Sequence, residues 1–283
     1  ESMTKDFAKL GGEMFVVDDG WFGPKYPRNN DKTSLGDWGI AKSKLPNGIR
    51  PLIDLTHKNG MKFGIWFEPE MVSPVSELYK AHPEWCLHIE GRDKSIARDQ
   101  YVLDMTRQDV RDYLFDSMAK VLSSANIEYV KWDFNRNLTE VGSAWLPAER
   151  RGEIFHRFVL GTYELLERLL TAFPHILLEG CSSGGGRYDP AMLYYSPQIW
   201  TSDNTDAIDR LIPFGKPFEV NTGAISRGYR TAPYPPMPMM RYIASQGGSI
   251  IFTSDSHHVD NIAFRFDEWE PVYRTFGTKI YDC

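Results

Sequence analysis

Eight short apolar runs, most of them separated by helix-patterned segments, constrain the fold of this chain more than any other feature. They read "EMFVVDDG" (13–20), "KFGIWFEPE" (62–70), "YVLDMT" (101–106), "IEYVKWDFN" (127–135), "HILLEGCSS" (175–183), "QIWTSDN" (198–204), "PFEVNTG" (217–223) and "GSIIFTSDSH" (248–257). Helical periodicity is clearest at 107–124, 149–172 and 236–246, and "KNG" (58–60) and "QGG" (246–248) mark helix stops. Strand runs that alternate with helices imply βαβ units and a parallel sheet. Eight of them favour an α/β fold of the (β/α)8 TIM-barrel type over a doubly wound sheet. No Gly-x-Gly-x-x-Gly follows the first run, which removes the usual reason to prefer a dinucleotide fold. The 283 residues suit a barrel, which typically takes about 250. Nothing resembles a linker, so one domain spanning 1–283 is expected.

The ends of these runs are polar. Asp18, Asp19, Glu68, Glu70, Asp104, Lys131, Asp133, Glu179, Asp203, Asp255 and His257 all fall at or near the carboxyl end of a run. A single strand-end Asp usually caps a helix or makes a turn. Acids or His at seven of eight ends point instead to the active-site face of a barrel, where the βα loops converge. A pit of carboxylates, aromatics and a few cations suits polyhydroxylated ligands, so carbohydrate chemistry is the leading class. Cleaving a glycosidic bond takes two carboxyl groups in different protonation states. The candidates are Asp133 and Asp203, with Asp18 and Asp19 as rivals. Lys131 lies two residues before Asp133, on the same strand face, and with Asn135 it favours an ionised, nucleophilic Asp133. Asp203, following Trp200, could retain its proton and serve as the donor.

Composition excludes other classes. A formal charge of −6 with no dense basic cluster argues against nucleic acid. No apolar run approaches the roughly 18–20 residues of a membrane span, and the amino terminus has no charged-then-apolar signal pattern. The three cysteines, Cys86, Cys181 and Cys283, are odd in number and widely spaced. That suits a reducing, cytoplasmic setting rather than a disulfide or zinc framework. Aromatics make up 13% of the chain, with eight Trp, enough for a large core as well as for stacking on a ligand.

The motifs "FVVDDGWFG", "FGIWFEPEMV", "YVKWDFNRN", "EGCSSGGGRYD" and "WTSDNTDAIDR" resemble, in order and spacing over residues ~5–212, the strand-end motifs of glycoside hydrolase family 36 α-galactosidases. The resemblance implies a retaining hydrolase without cofactor or metal, acting on terminal α-galactosides such as melibiose and raffinose. It makes Asp133 the nucleophile and Asp203 the acid/base. It assigns Asp18, Asp19, Trp66, Arg98, Lys131, Asn135, Cys181 and Gly184 to substrate binding, in a motif form that fits galactose better than N-acetylgalactosamine.

Residues ~214–267 resemble something else, the carboxyl-terminal part of PHP-family histidinol-phosphate phosphatases. That resemblance implies a metal-binding remnant at Asp255 and His257 and a phosphate-facing loop with Arg227 and Arg230. No His-x-His ends an early strand, however, so a metal cluster and phosphatase activity are not expected. Taken together, the chain reads as six βα units of one family (1–212) joined at 211–217 to two units of another (213–283), a natural or engineered chimera. The family's flanking β-domains are not seen in the sequence. With loops seven and eight replaced, weak hydrolysis is expected. The alternative is a folding scaffold or weak sugar binder without significant activity. An exposed former domain interface could drive self-association.

Overall fold

The computed structural model describes residues 2–139, 141–200, 218–245, 247–256 and 258–281. The chain divides into two compact units. The larger comprises Met14–Lys58 and Lys62–Thr201, the smaller Glu1–Glu13, Asn59–Met61 and Ser202–Cys283. In chain order the strands are β1 (Met14–Val17), β2 (Lys62–Phe67), β3 (Met71–Val72), β4 (Tyr101–Val102), β5 (Tyr129–Trp132), β6 (Leu177–Gly180), β7 (Gln198–Ile199), β8 (Phe218–Asn221), β9 (Ser249–Thr253) and β10 (Lys279–Tyr281).

In the larger unit β1, β2, β5, β6 and β7 form one parallel sheet in that order. Strand β2 is buried at every position after Lys62, as its unbroken apolar run requires. A strand covered on both faces cannot alternate polar with apolar residues. The helix Gln108–Leu122 buries Val110, Leu114, Met118 and Val121, a spacing of three to four that makes one apolar stripe. The helix Ile154–Ala172 begins later than its periodicity suggests, because Ala148–Glu153, following Pro147, forms a 3-10 turn first. Gly161 on this helix has a packing reason. A Cβ there would lie 2.0 Å from the carbonyl oxygen of Met105, so the helix seats directly on the 104–106 turn.

One expected strand behaves differently. The 101–106 run contributes only Tyr101–Val102, which pairs antiparallel with Met71–Val72 and lies outside the parallel sheet. Asp104 is correspondingly a turn residue. Its Oδ1 accepts from the Thr106 amide (3.0 Å) and hydroxyl (2.6 Å), and its Oδ2 accepts from the Ser143 hydroxyl.

In the smaller unit β8 and β10 flank β9, all parallel. Val220, Met240, Ile243, Ile250, Phe252 and Tyr273 form its core, drawn from these strands and the helices Met237–Ser245 and Phe266–Arg274. Strand β10 has no counterpart among the eight apolar runs. No described helix is long and apolar enough to cross a membrane.

Candidate active site

The register of the five-stranded sheet decides which side chains meet. Trp66 pairs with Lys131, Lys131 with Glu179, and Glu179 with Gln198. Side chains alternate faces along a strand, so this row and the row two residues on share one face. The second row is Glu68, Asp133, Cys181 and Trp200. The intervening residues Phe67 and Trp132 point to the opposite face, where Trp132 Nε1 donates to Glu70 (2.9 Å). The strand ends Lys131, Asp133, Glu68 and Glu179 thus gather on one side, and Glu70 is buried with the apolar core on the other. The backbone ladder continues into the second row, with Asp133 N–H on the Phe67 carbonyl (2.8 Å) and Cys181 N–H on that of Trp132 (2.8 Å).

Asp133 sits at the centre, 7% exposed. Its Oδ1 accepts from the Phe134 amide (2.9 Å), and its Oδ2 from Asn135 Nδ2 (2.6 Å) and Trp66 Nε1 (3.1 Å). Three N–H donors converging on two oxygens match an acceptor-only carboxylate. Trp66 is fixed from behind by Phe22, whose ring lies 6.0 Å away and 15° from parallel. It therefore serves core and site together. Lys131 Nζ lies 3.5 Å from Asp18 Oδ2 and 5.3 Å from the Trp200 ring centroid. Burial works against the Lys131 charge, but the carboxylates of Asp18 and Asp133 outweigh it and raise the ammonium above its ordinary value. Burial, with the charge of Asp133 beside it, pushes the Cys181 thiol up to about 12, so this thiol stays protonated and is no competing nucleophile. Gly184, at φ 88°, turns the loop whose carbonyl accepts from the Ser182 amide (2.8 Å). That left-handed conformation favours glycine.

The structure brings Asp18, Trp66, Lys131, Asp133, Asn135 and Cys181 together. Asp19 is turned to Arg28, whose Nε and Nη2 clasp its carboxylate at 3.1 and 3.0 Å. Burial raises Asp19 above the usual carboxylate range, with Arg28 opposing. Arg98 lies at the edge of the same cluster, 3.8 Å from Asp31, which in turn is 3.4 Å from Arg28. Arg28, 5% exposed, escaped sequence reasoning because it stands in an irregular loop with no periodicity. Asp203 and His257 lie outside the described residues. In the smaller unit Asp255 accepts from Arg227 Nη1 at 3.0 Å, so an ion pair holds the carboxylate expected as a metal remnant. Among the described residues no three His, Cys, Asp or Glu side chains gather to hold a metal ion.

Two buried carboxyls flank Asp133's strand in near-neutral form. Burial and the charge of Asp133 push Glu68 up to about 8. Burial and the charge of Asp18 push Glu179, which accepts from the Tyr129 hydroxyl, up to about 7. An unfolded Glu titrates near ~4.3. The folded chain therefore binds Glu179's proton more tightly, and stability falls as pH rises from roughly 4.3 towards 7, by up to about 1.4 kcal/mol per pH unit. Glu179→Gln removes that loss. Urea unfolding at pH 8 should show the variant gaining stability relative to the parent, with no such gain at pH 4. An equal difference at both pH values would contradict the assignment.

Residues 1–238 match the melibiase family, a match that runs past the junction expected at 211–217. The chain is 54% identical over 210 residues to α-galactosidase AgaA of Geobacillus stearothermophilus, covering 74% of this chain and 28% of that protein. It is 55% identical over 203 residues to α-galactosidase Mel36A of Lactobacillus acidophilus, covering 72% and 27%. The crystal structure of a substituted AgaA in complex with raffinose aligns with 96% of this chain and 39% of that one, at 42% identity and a TM-score of 0.78. The chain thus spans under a third of the length of these curated relatives. With the family match covering most of its residues, and the matched segment carrying the strand ends around Asp133, the chain belongs to the melibiase family.

Proposed function

We propose that this chain is a retaining glycoside hydrolase that releases terminal α-galactose, with melibiose and raffinose as the substrate class. Asp133 attacks the anomeric carbon, forming a glycosyl-enzyme and expelling the aglycone oxygen. Asp203 protonates that oxygen and then takes a proton from the water that hydrolyses the intermediate. Asp18 and Lys131 hold sugar hydroxyls, and Trp66 and Asn135 fix the nucleophile's oxygens. Asp19, Arg98, Cys181 and Gly184 shape the rest of the pocket. The observation that carries this reading is the convergence of three donors on the Asp133 carboxylate, at the end of the strand that carries Lys131 and beside Trp66 of β2. The α-galactosidases that share over half of their matched residues with this chain support it. The proposal includes the (β/α)8 barrel.

A second reading concerns ancestry. The match to AgaA falls from 54% identity over 210 residues to 42% when it is extended by structure to 96% of the chain, so the added residues contribute few identities. Under this reading residues 213–283 have a separate origin and bring loops that fit the site less well, although the family match continues to residue 238. We therefore expect turnover below that of a full-length relative, since about 1 Å of misplacement can cost on the order of a hundredfold. Release of p-nitrophenol from p-nitrophenyl α-galactoside by the purified chain is the test. No turnover from a protein that unfolds cooperatively would favour the scaffold reading over the enzyme.

A further inference from the structure

Asp133 keeps its aim through Asn135, and Asn135 is itself held. Its main-chain N–H donates to Glu68 Oε1 at 2.7 Å, while its side-chain amide donates to Asp133 at 2.6 Å. Glu68 follows the last residue of β2, Phe67 of β2 pairs with Trp132 of β5, and Glu68 and Asp133 therefore stand level on adjacent strands. Glu68 is 2% exposed, so no solvent contact accounts for a carboxyl at this position. Ser183, at 3.5 Å from Asn135 Oδ1, is a weaker restraint on the same amide. We propose that Glu68 is a positioning residue for the nucleophile, fixing the Asn135 backbone so that the Asn135 amide is presented to Asp133. The inference rests on the reading of Asp133 as nucleophile and deepens it.

The protonation state of Glu68 matters because a second negative charge beside Asp133 would compete for the donors that hold it. The groups facing Glu68 are Asp133 and Arg136 from the end of β5, Arg28 from the loop after β1, and Arg98 from the 97–100 turn. Burial and Asp133 favour the neutral acid over the three guanidinium groups, which places its ionisation at about 8. Loss of that proton tightens the Asn135 N–H contact, which favours the ionised acid, but sets a second negative charge beside Asp133 and gives activity an alkaline limit.

The test compares the full chain with Glu68→Gln and Glu68→Ala. The side-chain amide resonances of Asn135, identified by their absence in Asn135→Asp, are followed by NMR between pH 6 and 9.5. The parent should show a titration near pH 8 that is missing in Glu68→Gln, and Glu68→Ala should displace the resonances at every pH. In hydrolysis, Glu68→Ala should lower kcat at least ~10-fold with KM nearly unchanged, and Glu68→Gln should restore most of that loss without the alkaline fall. Asn135 resonances indifferent to Glu68→Ala, or an alkaline limit retained in Glu68→Gln, would overturn the proposal. A parent that hydrolyses nothing would count against the function proposed for Asp133, while the Asn135 resonances would still decide the role of Glu68.

Discussion

Asp133→Asn should lower turnover of an activated α-galactoside at least ~1,000-fold, to the background rate, while the protein still folds. Among the described residues the carboxylate is the group at the centre of the donor cluster able to form and then release an ester linkage to the anomeric carbon. An amide keeps the shape but not the nucleophilicity. Folding will not be wholly indifferent. Oδ2 of Asp133 accepts from both Trp66 and Asn135, and Oδ1 accepts from the Phe134 amide. An asparagine must turn its NH2 towards one of these donors, which costs about 1–3 kcal/mol for an unmade buried hydrogen bond. A urea midpoint slightly below the parent's, together with lost turnover, is the expected pair of results. Turnover retained in the variant would remove Asp133 from the mechanism.

The largest stability effect is expected at Glu70. This side chain is fully buried, and it accepts from Trp132 Nε1 at 2.9 Å, Thr162 Oγ1 at 3.1 Å and Arg187 Nη1 at 2.8 Å. It thus ties the segment after β2 to β5, to the helix Ile154–Ala172 and to the loop that also carries Cys181 and Gly184. Glu70→Ala leaves the Arg187 cation without its carboxylate, beside the Phe134 ring (4.4 Å). Removing one partner of a buried pair typically costs about 3–5 kcal/mol. Denaturant unfolding should show a loss of that size. The double variant Glu70→Met, Arg187→Met should recover part of it, because it removes both charges and leaves the Trp132 and Thr162 donors to be satisfied. A single variant as stable as the parent would show that the pair contributes nothing to the fold.

How much of this was legible in the sequence depends on what each residue answers to. The parallel strands β2, β5 and β6 were readable because burial on both faces demands continuous apolar runs, the half-buried β1 because its run is apolar throughout, and their polar ends announced the site. Period-2 alternation placed Lys131 and Asp133 on one face, as the register confirms. The run at 101–106 misled because Tyr-Val-Leu is equally apolar in a two-residue antiparallel pairing, and only tertiary pairing distinguishes the two. Strand β10 is three residues long, too short for any periodic signal. Glu68 and Glu179 were visible as strand-end acids, but their near-neutral character comes from burial and from charges on other strands, which no local pattern records. Arg28 was hidden for the same reason: it meets Asp19 through the path of an irregular loop. Trp66 was read as a substrate residue, and its stacking on Phe22, which no local pattern records, shows that the core also fixes its place.

The most direct measurement traps the nucleophile. Incubation with 5-fluoro-α-galactosyl fluoride, which forms a glycosyl-enzyme faster than it is hydrolysed, is followed by trypsin digestion and mass spectrometry. Cleavage after Lys131 and Arg136 releases the peptide Trp132–Arg136, in which Asp133 is the only side-chain carboxyl. A fluorogalactosyl mass increment on that peptide is the result this account predicts. The same increment on the peptide bearing Asp18 and Asp19, or on the one bearing Asp203, would contradict it.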